Sequence, residues 1–583
     1  MENGEIARIF HEIADLLEIK GEDRFRIRSY RNAADTIEAM AESLRVLYEA
    51  GEKGLEHIPG VGKGIREKII EMLTTGACAF HDGLLKELPP GIFDILKVSG
   101  VGPKKAMLLY QELGISDLDA LEQAAKTHKL HTLPGIGEKT EQNLLKAIRD
   151  LRVVSASFSQ NTGHAYAESI IARLKRAPGV SGVEAAGSLR RWKDTIHDID
   201  IICITDRPED AMHSFVTHPD VKEVVAHGET KSSVRLRNGM QADLRVLDEV
   251  SYGSGLLYFT GSKAHNVALR EMAKHKGLKI NEYGVFKEPG DVRVAGATEE
   301  EVYRSIGLPW IPPELRENRG EIEAALKGAL PRLVELGDIK GDLHSHTTES
   351  DGASSLEAMA DAAMERGYAY LNVTDHSKAV GIAHGLDDKR LLAQIKAIDA
   401  FNERLRKAGN EFRLLKGAEV DIRADGTLDH PDELLAKLDC VVAAIHSGFN
   451  MTKDAMTSRI IKGLEGGRVN ILAHPTGRLI GVREPYALDM EAVMNAAAAG
   501  GVSLELNSYP ERLDLSDAHC RMAKEKGILV AISTDAHATT HMGNIVYGVM
   551  GARRGWLGKD DVLNTRGLAD LLKLLRGQGK IGH

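Results

Sequence analysis

The sequence predicts a multidomain α/β protein, with helical N-terminal domains, a central mixed domain and a C-terminal barrel of seven β/α units. Three observations predict this fold class. The chain has 583 residues, which is more than one hydrophobic core usually holds. A Gly-x-Gly turn followed by an amphipathic helix occurs three times before residue 150. After residue 340, apolar segments that end in polar residues alternate with helices seven times.

The composition excludes several classes of protein. With 43% hydrophobic and 27% charged residues, the chain is not a disordered polymer. It has no apolar run near the roughly 20 residues that span a bilayer, and its acidic, amphipathic N-terminus is not a secretory signal. The four cysteines lie far apart and form no CxxC pair, which predicts a cytoplasmic, reducing environment. Because the net charge is −10, any nucleic acid must be held by local positive sites.

The three repeats predict binding of a phosphate backbone. They are His57-Ile-Pro-Gly-Val-Gly62, Val98-Ser-Gly-Val-Gly102 and Leu133-Pro-Gly-Ile-Gly137. Their glycines allow a positive φ, and the helix that follows presents free N–H groups at its N-terminus. A single copy could equally be a glycine cap between two packed helices, but three copies with lysines following favour the helix-hairpin-helix, which grips DNA without reading bases. The predicted DNA contacts are Gly60, Gly62, Lys63, Gly100, Gly102, Lys104, Gly135 and Gly137.

The central segment carries a set of carboxylates on predicted strands. Asp198 and Asp200 are two residues apart, so they point to the same face of a strand, and Asp243 lies on another alternating strand. An isolated pair of this kind is more often a solvated strand face. Here Gly187-Ser188 and Arg191 precede the pair, and the three carboxylates can together hold two Mg²⁺ or Mn²⁺ ions beside a triphosphate.

On these residues the chain up to about residue 320 resembles the family X DNA polymerases, the group of DNA polymerase beta. GSLRR, HDIDI and QADLRV stand in the family's order, followed by YFTGS and NEYG. The resemblance implies that Asp198, Asp200 and Asp243 are catalytic and bind two metal ions. It also implies nucleotide contacts from Gly187, Ser188, Arg191, Tyr258, Phe259, Gly261 and Asn266. Further DNA contacts are implied at Arg270 and Tyr283.

Two positions bear on how closely the chain follows this family. Vertebrate members carry an arginine two residues before the third aspartate, where this chain has Gln241, so the chemical step could be slower or differently supported. The N-terminal module resembles the family's deoxyribose-phosphate lyase domain. Tyr30 and Arg31 match its pocket, and Lys68 stands at the place of the Schiff-base lysine. The alternative is that Lys68 only lies on a helix that contacts a 5′-phosphate.

The C-terminal half places histidines and carboxylates at corresponding points of its β/α units. Active sites of parallel barrels lie at the C-terminal ends of the strands. Any one of these side chains alone would be read as a core or loop residue, but nine of them occupy that position and are enough for about three metal ions. The predicted ligands are His344, His346, Asp351, His376, Glu419, His446, His474, Asp535 and His537.

This half resembles the PHP (polymerase and histidinol phosphatase) family. The resemblance implies one ion held by His344, His346, Glu419 and Asp535. It implies a second ion, to which Glu419 bridges, with His446 and His474. A third ion would be held by Asp351, His376 and His537. Mixed nitrogen and oxygen ligands suit Mn²⁺, Zn²⁺ or Fe²⁺, and adjacent ions imply hydrolysis of phosphoesters.

Together the two resemblances imply a bacterial family X DNA polymerase that fills short gaps in base-excision repair, with a 3′–5′ exonuclease in its PHP domain and a further AP lyase or AP endonuclease activity. The alternative is a PHP phosphatase or nuclease whose polymerase half is a DNA-binding adaptor. The expected partners are gapped or nicked DNA and dNTPs, with no membrane, for a cytoplasmic, nucleoid-associated monomer. The expected domains are 1–88 (8-kDa-like), 89–150 (fingers), 151–246 (nucleotidyltransferase palm), 247–318 (thumb), 319–338 (linker) and 339–583 (PHP).

Overall fold

A computed structural model describes residues 3–577, except 21, 39–43, 45–47, 49–54, 56–57, 59–60, 87–90, 97, 99 and 156–157. The chain forms two compact units. The first covers Met1–Ala156, and the second covers Ser157–His583 apart from the short turn Gly381–Ala383. Among the described residues, no helix combines the length and the hydropathy that a bilayer crossing requires. All four cysteines are buried free thiols.

The first unit is helical. Its helices are α1 (Asn3–Ile19), α2 (Arg24–Glu38), α3 (Lys63–Thr75), α4 (Ala79–Lys86), α5 (Ile92–Leu96), α6 (Pro103–Leu113), α7 (Leu118–Lys126) and α8 (Glu138–Ser155). Apolar residues three and four positions apart give each of the longer helices one buried face. Two hydrophobic clusters result, one within residues 6–84 and one within 92–148 that also takes in Ile19.

A five-stranded mixed sheet opens the second unit. Helix α9 (Gln160–Leu174), the short helix α10 (Gly187–Arg190) and α11 (Pro208–Val216) accompany strands β1 (Phe158–Ser159), β2 (Val180–Ala185), β3 (Thr195–Ile196), β4 (Asp198–Thr205), β5 (Val221–His227), β6 (Lys231–Leu236) and β7 (Gln241–Leu247). The sheet order is β2-β4-β7-β6-β5, while β1 and β3 pair separately. Strands β4 and β7 run parallel at its centre, with Asp200 opposite Asp243.

A smaller subdomain follows the sheet. It holds helices α12 (Tyr252–Thr260), α13 (Lys263–Lys274), α14 (Glu299–Ser305) and α15 (Glu321–Leu326), and the antiparallel strands β8 (Leu278–Asn281), β9 (Gly284–Lys287) and β10 (Val292–Ala295). A buried ion pair ties its parts together. Arg316 donates to both oxygens of Glu299, and Arg190 from the preceding sheet domain donates to the same carboxylate.

Replacing Glu299 with glutamine should destabilise this region strongly, because two buried arginines would lose their counter-charge. Breaking a buried pair by removing one partner costs about 3–5 kcal/mol. We expect a clearly lower denaturant midpoint for Glu299→Gln, whereas the same change at the exposed neighbour Glu300 should leave the midpoint unchanged. Equal midpoints for the two variants would contradict a structural role for this pair.

The remainder of the second unit is a nearly closed parallel barrel. Its strands are β11 (Gly341–Ser345), β12 (Tyr370–Val373), β13 (Arg413–Asp421), β14 (Cys440–Ala444), β15 (Ile471–Leu472), β16 (Ser503–Asn507) and β17 (Val530–Ser533), in that order around the sheet. The His346 backbone N–H donates to the Ala536 carbonyl and joins the last strand to the first. The strands are buried on both faces, as parallel strands usually are. The predicted seven-unit barrel is confirmed.

Helices surround this barrel. They are α16 (Leu356–Glu365), α17 (Asp388–Lys407), α18 (Asp432–Leu435), α19 (Lys453–Glu465), α20 (Met490–Gly500), α21 (Asp517–Glu525), α22 (Ile545–Arg554) and α23 (Leu568–Gly577). Side chains such as Asp387, Thr452 and Ser516 cap the N-termini of α17, α19 and α21. The metal-ligand residues predicted from the sequence all lie in or after the strands, on the end where the helices begin.

Candidate active sites

Three carboxylates meet at the centre of the five-stranded sheet. Asp198 and Asp200 lie on β4, and Asp243 pairs with Asp200 across β7. Burial and the neighbouring carboxylates Asp198 and Asp243 raise the pKa of Asp200 to about 7, and burial and Asp243 also raise the pKa of Asp198. Like charges this close are costly without a cation. The donor set of clustered carboxylate oxygens therefore fits Mg²⁺ or Mn²⁺.

Gly187 fits against this cluster only because it lacks a side chain. Its φ is +63°, and a β-carbon there would lie 2.5 Å from Asp200 Oδ2. Gly187→Ala should therefore displace Asp200 and reduce nucleotide incorporation at least about tenfold, since positioning errors of this size cost much in catalysis. Steady-state extension of a gapped primer measures the effect. Gly239→Ala, which also has a positive φ but open space around it, is the control; equal losses in both variants would attribute the effect to backbone strain alone.

Gln241 occupies the position where vertebrate relatives have arginine. Its side-chain amide Nε2 donates to Asp243 Oδ1 at 3.1 Å. A neutral donor thus orients the third carboxylate in this chain. Arg245, two residues after Asp243 on β7, stacks instead on the Phe259 ring, with its guanidinium carbon 4.3 Å from the ring centroid.

A cleft of about 560 Å³ opens beside the carboxylates. Its lining includes all the nucleotide contacts predicted from the sequence, namely Gly187, Ser188, Arg191, Tyr258, Phe259, Gly261 and Asn266, and also Arg270. Three cationic or polar side chains that sequence reasoning missed line it too, namely Lys193, His197 and Lys263. Asn266 Nδ2 donates to the Tyr258 carbonyl at 2.7 Å and so fixes the turn that closes the cleft.

Arg191 has a second set of contacts besides the cleft. Its Nε donates to Glu317 at 3.0 Å, and its Nη1 donates to the Thr260 carbonyl. Arg554, on the barrel's helix α22, donates to the same Glu317 and to the Arg191 carbonyl. An incoming triphosphate would therefore have to share Arg191 with Glu317.

The glycine turns of the first unit present helix N-termini. Gly62 and Gly102 precede α3 and α6, and no side chain caps either helix start. Gly100 and Gly135 have φ values of +90° and +80°, which only glycine adopts readily. A β-carbon at Gly62, Gly102 or Gly137 would meet nothing within 4 Å, so the space before each helix is open. Lys63 and Lys104 follow the first two turns.

Gly60 lies outside the described residues, and Tyr283 is exposed on the β8–β9 turn.

Of the three predicted lyase residues, only Tyr30 lines a cleft in the first unit, among the described residues. Arg26, Ser29, Tyr30, Gly62 and Gly64 line a cleft of about 580 Å³. The Lys68 amine is not part of that lining; it donates to the Gly64 carbonyl at 3.2 Å and lies 4.9 Å from the Phe80 ring centroid. Arg31 is engaged by Asp15 and Glu18.

The nine predicted ligands of the barrel converge at its C-terminal mouth. Glu419 is at their centre, with its Oε1 3.0 Å from His474 Nε2 and 3.2 Å from His446 Nε2. Its Oε2 lies 2.7 Å from His376 Nδ1 and 3.5 Å from His344 Nε2. Asp535 Oδ1 lies 3.0 Å from His346 Nε2, and Asp351 lies 3.4 Å from both His376 Nε2 and His537 Nε2.

Among the described residues of the barrel, ligand atoms that could share an ion form three groups. The first is His344, His346 and Asp535; the second is His376, Glu419 and His446; the third is His346, Asp351, His376 and His537. His376 and His346 each belong to two of them. The sequence-based assignment placed His376 with Asp351 and His537 alone, whereas the geometry also puts it against Glu419.

Several buried polar atoms at the barrel mouth lack a hydrogen-bond partner among the described residues, and bound cations would satisfy them. His344 Nε2, His346 Nδ1, His376 Nδ1 and Glu419 Oε2 are buried and have no hydrogen-bond partner among the described residues. Burial opposes the charge on His376, but Glu419 and Asp351 raise its pKa to about 10. Burial, with the nearby Arg512, lowers the pKa of His474 to about 3. Orphaned imidazole and carboxylate atoms of this kind fit divalent transition metals.

A further ring of residues, absent from the sequence-based set, orients these ligands. Glu505 accepts from His344 Nδ1 at 2.7 Å and from the His474 backbone N–H at 2.8 Å. Asp421 lies 3.2 Å from His446 Nδ1, and Asn507 donates to Asp535 Oδ2 at 3.0 Å. Such partners fix the ring orientation of metal-binding histidines. Their only signal in the sequence is a position near the C-terminal end of a strand, which Glu505 shares with Glu419.

Comparison with known families adds an independent line of evidence. The helix-hairpin-helix domain matches residues 1–78, and the SAM-like helix-hairpin-helix tandem matches 92–150. The DNA polymerase beta thumb matches residues 255–317, and the PHP domain matches 342–508. These segments coincide with the two helical clusters, the subdomain after the sheet and most of the barrel.

Curated proteins match the chain at different lengths. The "DNA polymerase/3′-5′ exonuclease PolX" of Bacillus subtilis is 38% identical over 99% of this chain and 100% of its own length. DNA polymerase lambda of Arabidopsis thaliana is 25% identical over 54% of this chain and 62% of its own length. A probable phosphatase of Thermoanaerobacter is 30% identical over 38% of this chain and 89% of its own length. The chain therefore belongs to the family X DNA polymerases that carry helix-hairpin-helix motifs, a polymerase beta thumb and a C-terminal PHP domain.

Proposed function

We propose that the chain is a DNA-directed DNA polymerase that fills short gaps in base-excision repair and that trims 3′ ends with an exonuclease in its PHP barrel. One observation carries this proposal: a single chain holds two separate sets of metal-ligand residues, one on the sheet beside a cleft and one at the barrel mouth. The Bacillus relative, similar over its full length, is named for both activities.

Residues of the chain account for the steps of nucleotide addition. Ser188, Lys193 and Arg191 line the cleft on the side of helix α10 and would hold the triphosphate. Asp243, oriented by Gln241, would accept the proton of the primer 3′-hydroxyl or stabilise the attacking oxygen. Divalent ions held by Asp198, Asp200 and Asp243 would supply charge neutralisation for the triphosphate.

The barrel residues suit hydrolysis of a phosphodiester. Glu419 contacts histidines of two ligand groups, so it would place ions close enough to act on one phosphate. Bound Mn²⁺, Zn²⁺ or Fe²⁺ would supply a hydroxide at neutral pH. Glu505, Asp421 and Asn507 hold the imidazoles and Asp535 in fixed orientations. The natural substrate would be a 3′-terminal nucleotide that the helix-hairpin-helix motifs help to retain.

The glycine turns would bind gapped or nicked DNA through its phosphates, with Lys63 and Lys104 adding charge, and Arg270 and Tyr283 would contact DNA near the cleft. The cleft around Tyr30 would receive a 5′-phosphate. We propose no lyase role for Lys68, because its amine lies outside the cleft lining. Four buried free thiols fit the reducing cytoplasm, where we propose that the chain acts as a nucleoid-associated monomer.

One reaction separates this proposal from the alternative, a phosphatase with an adaptor for DNA. A gapped, 5′-phosphorylated DNA is incubated with Mn²⁺, with and without dNTPs, beside histidinol phosphate. We expect extension with dNTPs and shortening without them, while the small ester is hydrolysed poorly. Rapid hydrolysis of the ester with no change in the DNA would favour the phosphatase.

A further inference from the structure

The third hairpin of the first unit carries a cluster of possible ligands that neither proposed site uses. His128 follows helix α7, His131 lies in the short turn Leu130–Thr132, and Glu141 lies in the first turns of α8. One ligand atom from each residue lies within 4.8 Å of the others. The spacing is His-x-x-His followed by glutamate ten residues later, across the Gly135–Gly137 turn.

We propose that His128, His131 and Glu141 form a site for a divalent transition-metal ion, of which Zn²⁺ is the best match. Two imidazoles and one carboxylate are a donor set that zinc binds while keeping an open fourth position. The two imidazoles are 69% and 38% exposed, whereas the carboxylate is 1% exposed. A buried carboxylate under two solvent-facing imidazoles leaves the fourth position to water.

The observed separations suit tetrahedral coordination. Bonds of about 2.0–2.1 Å to nitrogen and oxygen place neighbouring ligand atoms roughly 3.3 Å apart. Glu141 Oε1 lies 2.8 Å from His128 Nδ1, and Oε2 lies 3.5 Å from His131 Nδ1. The ligand atoms of His128 and His131 lie within 4.8 Å of each other, so rotation of the two exposed imidazoles would have to bring them closer together around an ion.

The backbone around the cluster holds its ligands in place. His128 has φ +55° at a helix end, a conformation in which glycine or asparagine is usual. Glu141 Oε2 accepts from the backbone N–H groups of Leu130 and His131 at 2.9 and 3.0 Å.

An ion here would join the end of α7 to the start of α8 and so clamp the third Gly-x-Gly turn. The competing explanation is a simple ion pair between His128 and Glu141, which lie at hydrogen-bond distance. The two explanations differ at His131. Its imidazole is 3.5 Å from the carboxylate and makes no hydrogen bond to it among the described contacts, so the ion pair does not need it.

The test uses the full-length protein and Zn²⁺ alone. Wild type, His128→Asn, His131→Asn and the exposed control His213→Asn are stripped with chelator, dialysed to equilibrium with Zn²⁺ and assayed for bound zinc per chain. The barrel ligands are intact in all four proteins and contribute equally. We expect both hairpin variants to bind about one ion fewer than wild type and the control, and Co²⁺ difference spectra to lose the same site.

Equal zinc content in wild type and His131→Asn would overturn the proposal. So would equal zinc content in all four proteins, which is the result that a simple ion pair between His128 and Glu141 predicts. Circular dichroism of each variant checks that the helices are intact. Asparagine at position 131 keeps the backbone N–H that donates to the Glu141 carboxylate, and the His131 side chain makes no hydrogen bond to that carboxylate among the described contacts. This variant therefore decides the question even if substitutions at Glu141 disturb the fold.

Discussion

Extension of a gapped primer should fall by roughly a thousandfold or more when Asp243 is replaced by alanine, because metal-assisted charge stabilisation is worth several kcal/mol and each 1.36 kcal/mol is tenfold in rate. Shortening of single-stranded 3′ ends by the same variant should stay within about twofold of wild type. The reason is spatial: Asp243 lies on β7 beside Asp200, and none of the nine barrel ligands lies on that sheet.

The control is Asp248→Ala, an exposed carboxylate just beyond the end of β7. Single-turnover incorporation separates the chemical step from nucleotide binding. Wild-type extension by Asp243→Ala would show that the assignment of the three carboxylates is wrong. Equal loss of extension and shortening would instead indicate that the variant is misfolded or that the two activities share one centre.

Glu419→Gln should produce the converse result, with 3′-end shortening reduced by about a thousandfold and extension retained. Glu419 contacts His344, His376, His446 and His474, so its loss would disturb more than one ion. His537→Asn should cost less, by about 10–100-fold, because His537 belongs to a single ligand group. Mn²⁺-dependent shortening of a single-stranded oligonucleotide measures both.

Glu403→Gln, on the exposed face of α17, is the matched control for this series. Metal content by elemental analysis should fall in Glu419→Gln. A larger loss for His537→Asn than for Glu419→Gln would contradict the central place that Glu419 has among the ligands.

The sequence predicted the fold, and it proposed candidate site residues where residue chemistry and strand period coincide. Strands β11–β17 begin and end close to the predicted segments because each is an apolar run closed by a polar residue. Asp198, Asp200 and Asp243 stand out because a two-residue period puts carboxylates on one face of otherwise apolar strands. The histidines stand out together because they lie near or shortly after the C-terminal ends of the strands.

Other features depend on contacts between distant parts of the chain, which no local pattern reports. Strands β5 and β6 were missed because β5 is an exposed edge strand with little alternation. Glu505 and Asp421 look like ordinary strand residues until their distance to a histidine is known. The hydrogen bond from Gln241 and the Glu317 contact of Arg191, 126 residues away, likewise appear only in three dimensions.

The central claim is that one chain holds two independent metal-dependent activities on DNA. The most direct test compares wild type, Asp243→Ala and Glu419→Gln on one gapped, 5′-phosphorylated DNA with Mn²⁺, with and without dNTPs, and scores extension and shortening in the same gel. We predict that each variant loses one activity and keeps the other. Loss of both activities in either properly folded variant, or retention of both, would contradict the claim.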